Sequence, residues 1–267
     1  MKIGFSTTCT FPVTLEASFV MGREAGYDGI EIMISGNKQT RDANYLKHLS
    51  EKYKLPILSF HAPTLLLTHF VWGNDPGVKL EKTAELAAET GANTVVVHPP
   101  YVWQKEYKDK FLDLVAEVER NTGVVIAVEN MFPWKVKNTS IAAYSPSWEE
   151  IVEKTPHLTY DFSHAALSGW NSLERIKELK DQISHIHLCD GFGNVTDEDK
   201  GKIFDEHLMP GMGNQRVAEC LQYLKSVGWD GHVVAEINTK TARNNIERFH
   251  MVKHVSDWTR NVLEKPV

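Results

Sequence analysis

Six β-rich runs of this chain end in, or reach, a residue able to bind a metal or move a proton. PILSF runs into His61, TVVV into His98, VIAV into Glu129 and LTY into Asp161, while SHI leads to His187 and VVA to Glu236. Any one of these, taken singly, reads most simply as a cap or a satisfied polar group at a strand end. Together they need another account, because three carboxylates aimed at one point repel one another and stay ionised only beside cations. A divalent ion answers this economically, and mixed imidazole and carboxylate ligands suit zinc, manganese or iron.

Three more ligand-type residues follow. His164 stands three after Asp161 in DFSH, a spacing that turns both side chains the same way if a helical turn begins there. Asp205 and His207 lie in DEHLMPGMG and can point to one side if that segment is extended. Five histidines and four carboxylates exceed the needs of one ion, and four carboxylates around a single divalent ion leave a formal charge of −2. Either several of them bind substrate or support ligands, or two or three ions are present.

The elements that would hold these residues alternate. The strand candidates are Lys2 to Ser6, Gly29 to Ile34, Pro56 to His61, Asn93 to His98, Val124 to Glu129, His157 to Asp161, Ser184 to Leu188 and His232 to Glu236. Their centres advance by about 33 residues, the length of one βα unit, and eight such units make a (β/α)₈ barrel. Helical stretches fall between them. Leu80 to Thr90 stops at Gly91, and Phe111 to Val118 carries an apolar stripe that Gly123 ends. An open doubly wound sheet would place a Gly-rich turn after its first strand, whereas this chain has Thr7-Thr8-Cys9-Thr10-Phe11-Pro12 there. One domain, residues 1–267, is expected, with long loops at Asn130 to Pro146 and Asp190 to Gly213. In such a barrel the strand C-termini line the active mouth.

The whole chain resembles the xylose-isomerase-like TIM barrels, which include sugar phosphate isomerases and epimerases and the endonuclease IV (AP endonuclease family 2) enzymes. The resemblance implies that Glu129 in AVEN, Asp161 in YDFSH, His187 in HIHLCD and Glu236 in VAEIN hold one metal, with Glu129 and Glu236 as the catalytic acid/base pair. Endonuclease IV-like members add the positions matched here by His61 in FHAP, His98 in VVHPP, His164, Asp205 and His207, and hold up to three ions. The segment Gly26-Tyr27-Asp28-Gly29-Ile30-Glu31-Ile32 instead resembles the GYDGIE opening of the sugar-phosphate enzymes. Thr64-Leu65 follows FHAP where the DNA enzymes present a Tyr, and Thr64 can neither wedge nor stack in a duplex.

Charge and composition narrow the classes. Of 267 residues 42% are hydrophobic, and 29 basic against 35 acidic side chains leave −6, a poor match to a phosphate backbone. Three cysteines without a CxxC pair predict a reducing, cytoplasmic setting and no thiolate metal site. No apolar run approaches the roughly 18 residues of a membrane span. Aromatic residues crowd the loops after the strands, and Trp72, Trp103 and Trp134 are the expected substrate contacts, since a ring can stack on a sugar face. The resulting expectation is a zinc (alternatively manganese) enzyme that isomerises or epimerises a small sugar or sugar phosphate. Endonuclease IV-like phosphodiester hydrolysis ranks second and binding without turnover third.

Overall fold

A computed structural model describes residues 1–64, 68, 70–136, 139–193 and 205–265. Eight parallel strands close into a barrel: β1 (Lys2–Ser6), β2 (Gly29–Met33), β3 (Ile57–His61), β4 (Thr94–Val97), β5 (Val125–Glu129), β8 (Leu158–Asp161), β9 (Ile183–Leu188) and β10 (His232–Ala235). Two further strands, β6 (Trp134–Val136) and β7 (Thr139–Ile141), pair antiparallel within the long loop after β5. This hairpin lies within the long loop expected at Asn130 to Pro146. Three residues per strand, only one of them clearly apolar-alternating, carry too little pattern to be read as a hairpin.

The barrel strands are almost wholly buried, as expected when helices cover the outside. Alternate residues divide the labour. Phe5, Ile32, Phe60, Val97, Val128, Tyr160 and Leu188 belong to the hydrophobic shell shared with the helices. The other parity brings Ser59 and His61, Ala127 and Glu129, Thr159 and Asp161, and His185 and His187 toward the axis. The polar strand-end residues therefore come from one side of each strand.

Helix boundaries follow local chemistry. Helix α3 (Pro76–Thr90) starts earlier than its apolar stripe because Asp75 accepts from the backbone N–H groups of Gly77 and Val78, with Pro76 in the first turn. It ends at Gly91, which takes φ 80°. Helix α4 (Lys105–Thr122) likewise stops at Gly123. No helix among the described residues is long and apolar enough to cross a membrane.

Candidate metal centre

Strand register assembles the first set of ligand-type residues. Asp161 pairs with His187 across β8 and β9, and His187 pairs with Val234 of β10, two residues before Glu236. A ligand-type atom from each of Glu129, Asp161, His187 and Glu236 lies within 4.8 Å of every other, and all four residues are buried. His187 Nδ1 stands 2.8 Å from Glu129 Oε1, 2.9 Å from Glu236 Oε2 and 3.7 Å from Asp161 Oδ2. One ring nitrogen can donate one proton, so three carboxylate oxygens around it remain in excess of donors. Among the described residues, every ion-pair partner of these carboxylates is an imidazole, and no Lys or Arg reaches them. This donor set fits a divalent cation.

Glu129 is the hub. Its Oε1 faces His187 and, at 3.5 Å, His164 Nδ1, while its Oε2 lies 2.7 Å from His98 Nε2 and 3.3 Å from His61 Nε2. His61, His98 and Glu129 form a second compact buried group. Burial alone would raise the Glu129 carboxyl, but the His187 and His98 imidazoles outweigh it and hold it well below the ordinary range. Glu236 follows the same logic, with burial opposed chiefly by His187, and falls to about 2. Asp161 goes the other way: burial raises it, and His164 and His207 offset this only in part.

The third group gathers around Asp205, whose Oδ2 lies 3.2 Å from His164 Nε2 and 2.8 Å from His207 Nε2. Asp161 caps α6 (Phe162–Leu167) by accepting from the His164 backbone N–H at 2.8 Å. That is the helical turn that brings His164 to the mouth. His164 Nδ1 then meets the Asn130 carbonyl at 2.8 Å, and His207 Nδ1 meets the Glu236 carbonyl at 2.6 Å. Each ring thus turns Nδ1 to a backbone carbonyl and Nε2 to Asp205, and the neighbouring Asp161 and Asp205 carboxylates outweigh burial to raise both imidazoles above their ordinary range. Asp205 and His207 meet here without an extended segment, because His207 takes φ 43°, in the left-handed region where a non-glycine residue carries strain. Asp190 pins the loop that carries it. Its backbone exchanges two hydrogen bonds with Leu208, and its carboxylate accepts from the N–H groups of Gly211 and Gln215. The stretch 194–204 of that loop lies outside the described residues.

A cavity of about 410 Å³ opens beside this cluster, lined by Thr8, Phe11, Asp205, His207, Glu236 and Asn238 among others. Of the ligand-type carboxylates, Glu236 and Asp205 reach its wall; Thr8 Oγ1 donates to Glu236 Oε1 at 3.3 Å. Trp103 stacks on Tyr101 with ring centres 4.5 Å apart and stands 5.6 Å from Trp134, in an aromatic cluster on the loops after β4 and β5. Trp72 lies elsewhere, under the Arg41 guanidinium in a cavity flanked by Asp42 and Glu85. Phe132, on the loop after β5, sets its ring 4.9 Å from that of His164. Thr64 is buried, and Leu65 lies outside the described residues.

Sequence reasoning missed the layer beneath. Glu31 of β2 is fully buried, accepts from Ser59 Oγ at 2.8 Å, and lies 3.0 Å from His185 Nε2 and 3.4 Å from His187 Nε2. The period-2 pattern of HIH, and a glutamate inside an otherwise apolar strand, were the available signals.

A closed parallel barrel with metal-ligand chemistry at its strand C-termini defines a class of TIM-barrel proteins. The chain belongs to the xylose isomerase-like TIM barrel family, whose model matches residues 21–262. It is 38% identical over 282 aligned positions to the uncharacterized protein ML2432 of Mycobacterium leprae, covering 98% of both chains. With fructoselysine 3-epimerase of Escherichia coli O157:H7 it shares 21% identity, over 93% of this chain and 97% of that one. Among solved structures, IolI with a bound zinc atom superposes with a TM-score of 0.72 at 21% identity, over 98% of each chain.

Proposed function

We propose that this protein is a metal-dependent isomerase or epimerase of a small sugar or sugar phosphate. The observation that carries the reading is the position of Glu236: a carboxylate inside the buried ligand set that also forms the wall of the 410 Å³ cavity. The fructoselysine 3-epimerase relative and the zinc of IolI support it.

A divalent ion, zinc or manganese, held by Glu129, Asp161, His187 and Glu236 would supply a Lewis acid for a carbonyl and an adjacent hydroxyl. Glu236, ionised and steadied by the Thr8 hydroxyl, takes the proton from the carbon next to the carbonyl. Glu129 would serve as its partner acid/base through Oε2, the oxygen that His61 and His98 hold in place. None of the three tryptophans expected to contact substrate lines the 410 Å³ cavity: Trp103 borders a separate one with Asp75 and Lys110, Trp134 packs against Trp103, and Trp72 lies beneath Arg41, so none of them stands in this reading.

The specific observation favouring phosphodiester hydrolysis instead is the contiguity of the three groups. An ion held by His61, His98 and Glu129, beside one in the core group, would leave Glu129 unavailable for proton transfer. The test is deuterium exchange from D₂O at the carbon next to the carbonyl, with ketohexoses, their phosphates and fructoselysine, on protein whose metal content is measured. Glu236→Gln should lower exchange by roughly 10²- to 10⁴-fold, the range of general-base catalysis. No exchange by metallated protein, with nicking of an abasic duplex at low salt, would replace this reading with the second.

A further inference from the structure

Each of four mouth histidines presents Nε2 to a carboxylate of the cluster; for three of them the far nitrogen meets a backbone carbonyl, at Ala62 for His61, Asn130 for His164 and Glu236 for His207. His187 is reversed. Its Nδ1 faces the core carboxylates, and its Nε2 points down the barrel axis at Glu31 Oε1, 3.4 Å away. Both residues are fully buried, and neither of these two atoms has a hydrogen-bond partner among the described residues. Each is therefore the available partner of the other. The remaining oxygen of Glu31 is occupied by the Ser59 hydroxyl at 2.8 Å, beside His185 Nε2 at 3.0 Å, which fixes the carboxylate in rotation.

We infer that Glu31 is a positioning residue for the core metal: it accepts the Nε2 proton of His187, fixes the tautomer that leaves Nδ1 free to ligate, and strengthens that ligand. An acceptor behind an imidazole ligand raises its basicity, a carboxylate more than a neutral carbonyl because it carries a full negative charge, and removal of such partners costs roughly 10- to 100-fold in metal affinity. Glu31 lies in the GYDGIE segment, whose other acidic side chain, Asp28, accepts from the Ile3 N–H and pairs with Arg260 on the outside of the barrel. Glu31 is the residue of that segment whose carboxylate faces the axis.

The inference rests on the metal reading above but not on any sugar activity, so it is tested by zinc binding alone. Wild type, Glu31→Gln and Ser59→Ala are titrated with Zn²⁺ against a chromophoric chelator, with zinc per chain measured at saturation and melting followed in the metal-free state. Glu31→Gln should bind its tightest zinc about 10- to 100-fold more weakly, at unchanged saturating stoichiometry, and Ser59→Ala should lose less. Equal affinities in wild type and Glu31→Gln, or a whole ion lost from Glu31→Gln, would overturn it; the second result would make Glu31 a ligand. Should Glu31→Gln fail to fold, ¹⁵N-histidine spectra of the zinc-loaded wild type decide: a protected Nε2 proton on His187 supports the inference, and an Nε2-ligated ring refutes it. Wild type that binds no zinc would refute the metal reading itself, and this inference with it.

Discussion

Replacing Glu129 by Gln keeps the size of the side chain but removes the charge that both of its oxygens share among four imidazoles, at 2.7, 2.8, 3.3 and 3.5 Å. Because Glu129 belongs to both the core group and the His61–His98 group, both should weaken in E129Q, whereas His98→Ala should affect the second alone. Loss of a mere supporting partner already costs up to roughly 100-fold, so loss of a ligand charge should cost at least about 100-fold per site, or about 2.7 kcal/mol. At zinc well above both dissociation constants the same energy leaves the bound-state stabilisation. With about 2.1 cal/mol/K of unfolding entropy per residue, this chain has roughly 0.56 kcal/mol/K, so each weakened site should lower the zinc-loaded melting temperature by about 5 °C. The assay is thermal unfolding with and without zinc, beside a chelator competition. A zinc-induced shift in E129Q equal to that of wild type would refute the hub role of Glu129.

Two further perturbations test other parts of the fold. His232 begins β10 at the end of the barrel opposite the cluster, and burial, with His185 and Lys2 nearby, pushes its imidazole down to about 3. Below about pH 6.5 the unfolded chain takes up a proton that the folded chain refuses, so this site's contribution is neutral above that value and increasingly destabilising toward pH 3. His232→Gln should therefore recover about 2 kcal/mol relative to wild type on going from pH 7 to pH 5 in urea unfolding; parallel losses in both proteins would contradict it. At Gly213 an added Cβ would meet Asp190 Oδ1 at 2.4 Å and the Gly191 backbone N at 2.5 Å. Gly213→Ala should cost about 1–3 kcal/mol and loosen the segment carrying Asp205 and His207, read as weaker zinc binding at that group with the core group unchanged.

The eight barrel strands were legible because each is a short apolar run bounded by turn residues, and their spacing matches one βα unit. The ligand-type residues were legible for the same reason: a His, Asp or Glu at the end of an apolar strand stands out against its neighbours. Local signals also marked where α3 and α4 stop, since Gly91 and Gly123 adopt the left-handed conformation that ends a helix without strain. The β6–β7 hairpin and the start of α3 were less legible, the first for want of length and the second because a cap lies outside the apolar stripe.

What the chain could not express locally is which ligand-type residues meet. The register of β8, β9 and β10 brings Asp161 beside His187 with Glu236 above, and the consecutive pairing of β3, β4 and β5 around the barrel brings His61 and His98 to the same Glu129. Distances between strands depend on tilt and closure, which no window of sequence contains. The reversal of the His187 ring toward Glu31, the left-handed turn at His207 and the removal of Trp72 to the Arg41 cavity are of the same kind. Periodicity tells which side of a strand a residue takes. Where its side chain ends depends on partners distant in sequence, 156 residues for Glu31 and His187 and 228 for Thr8 and Glu236, and only the folded barrel supplies them.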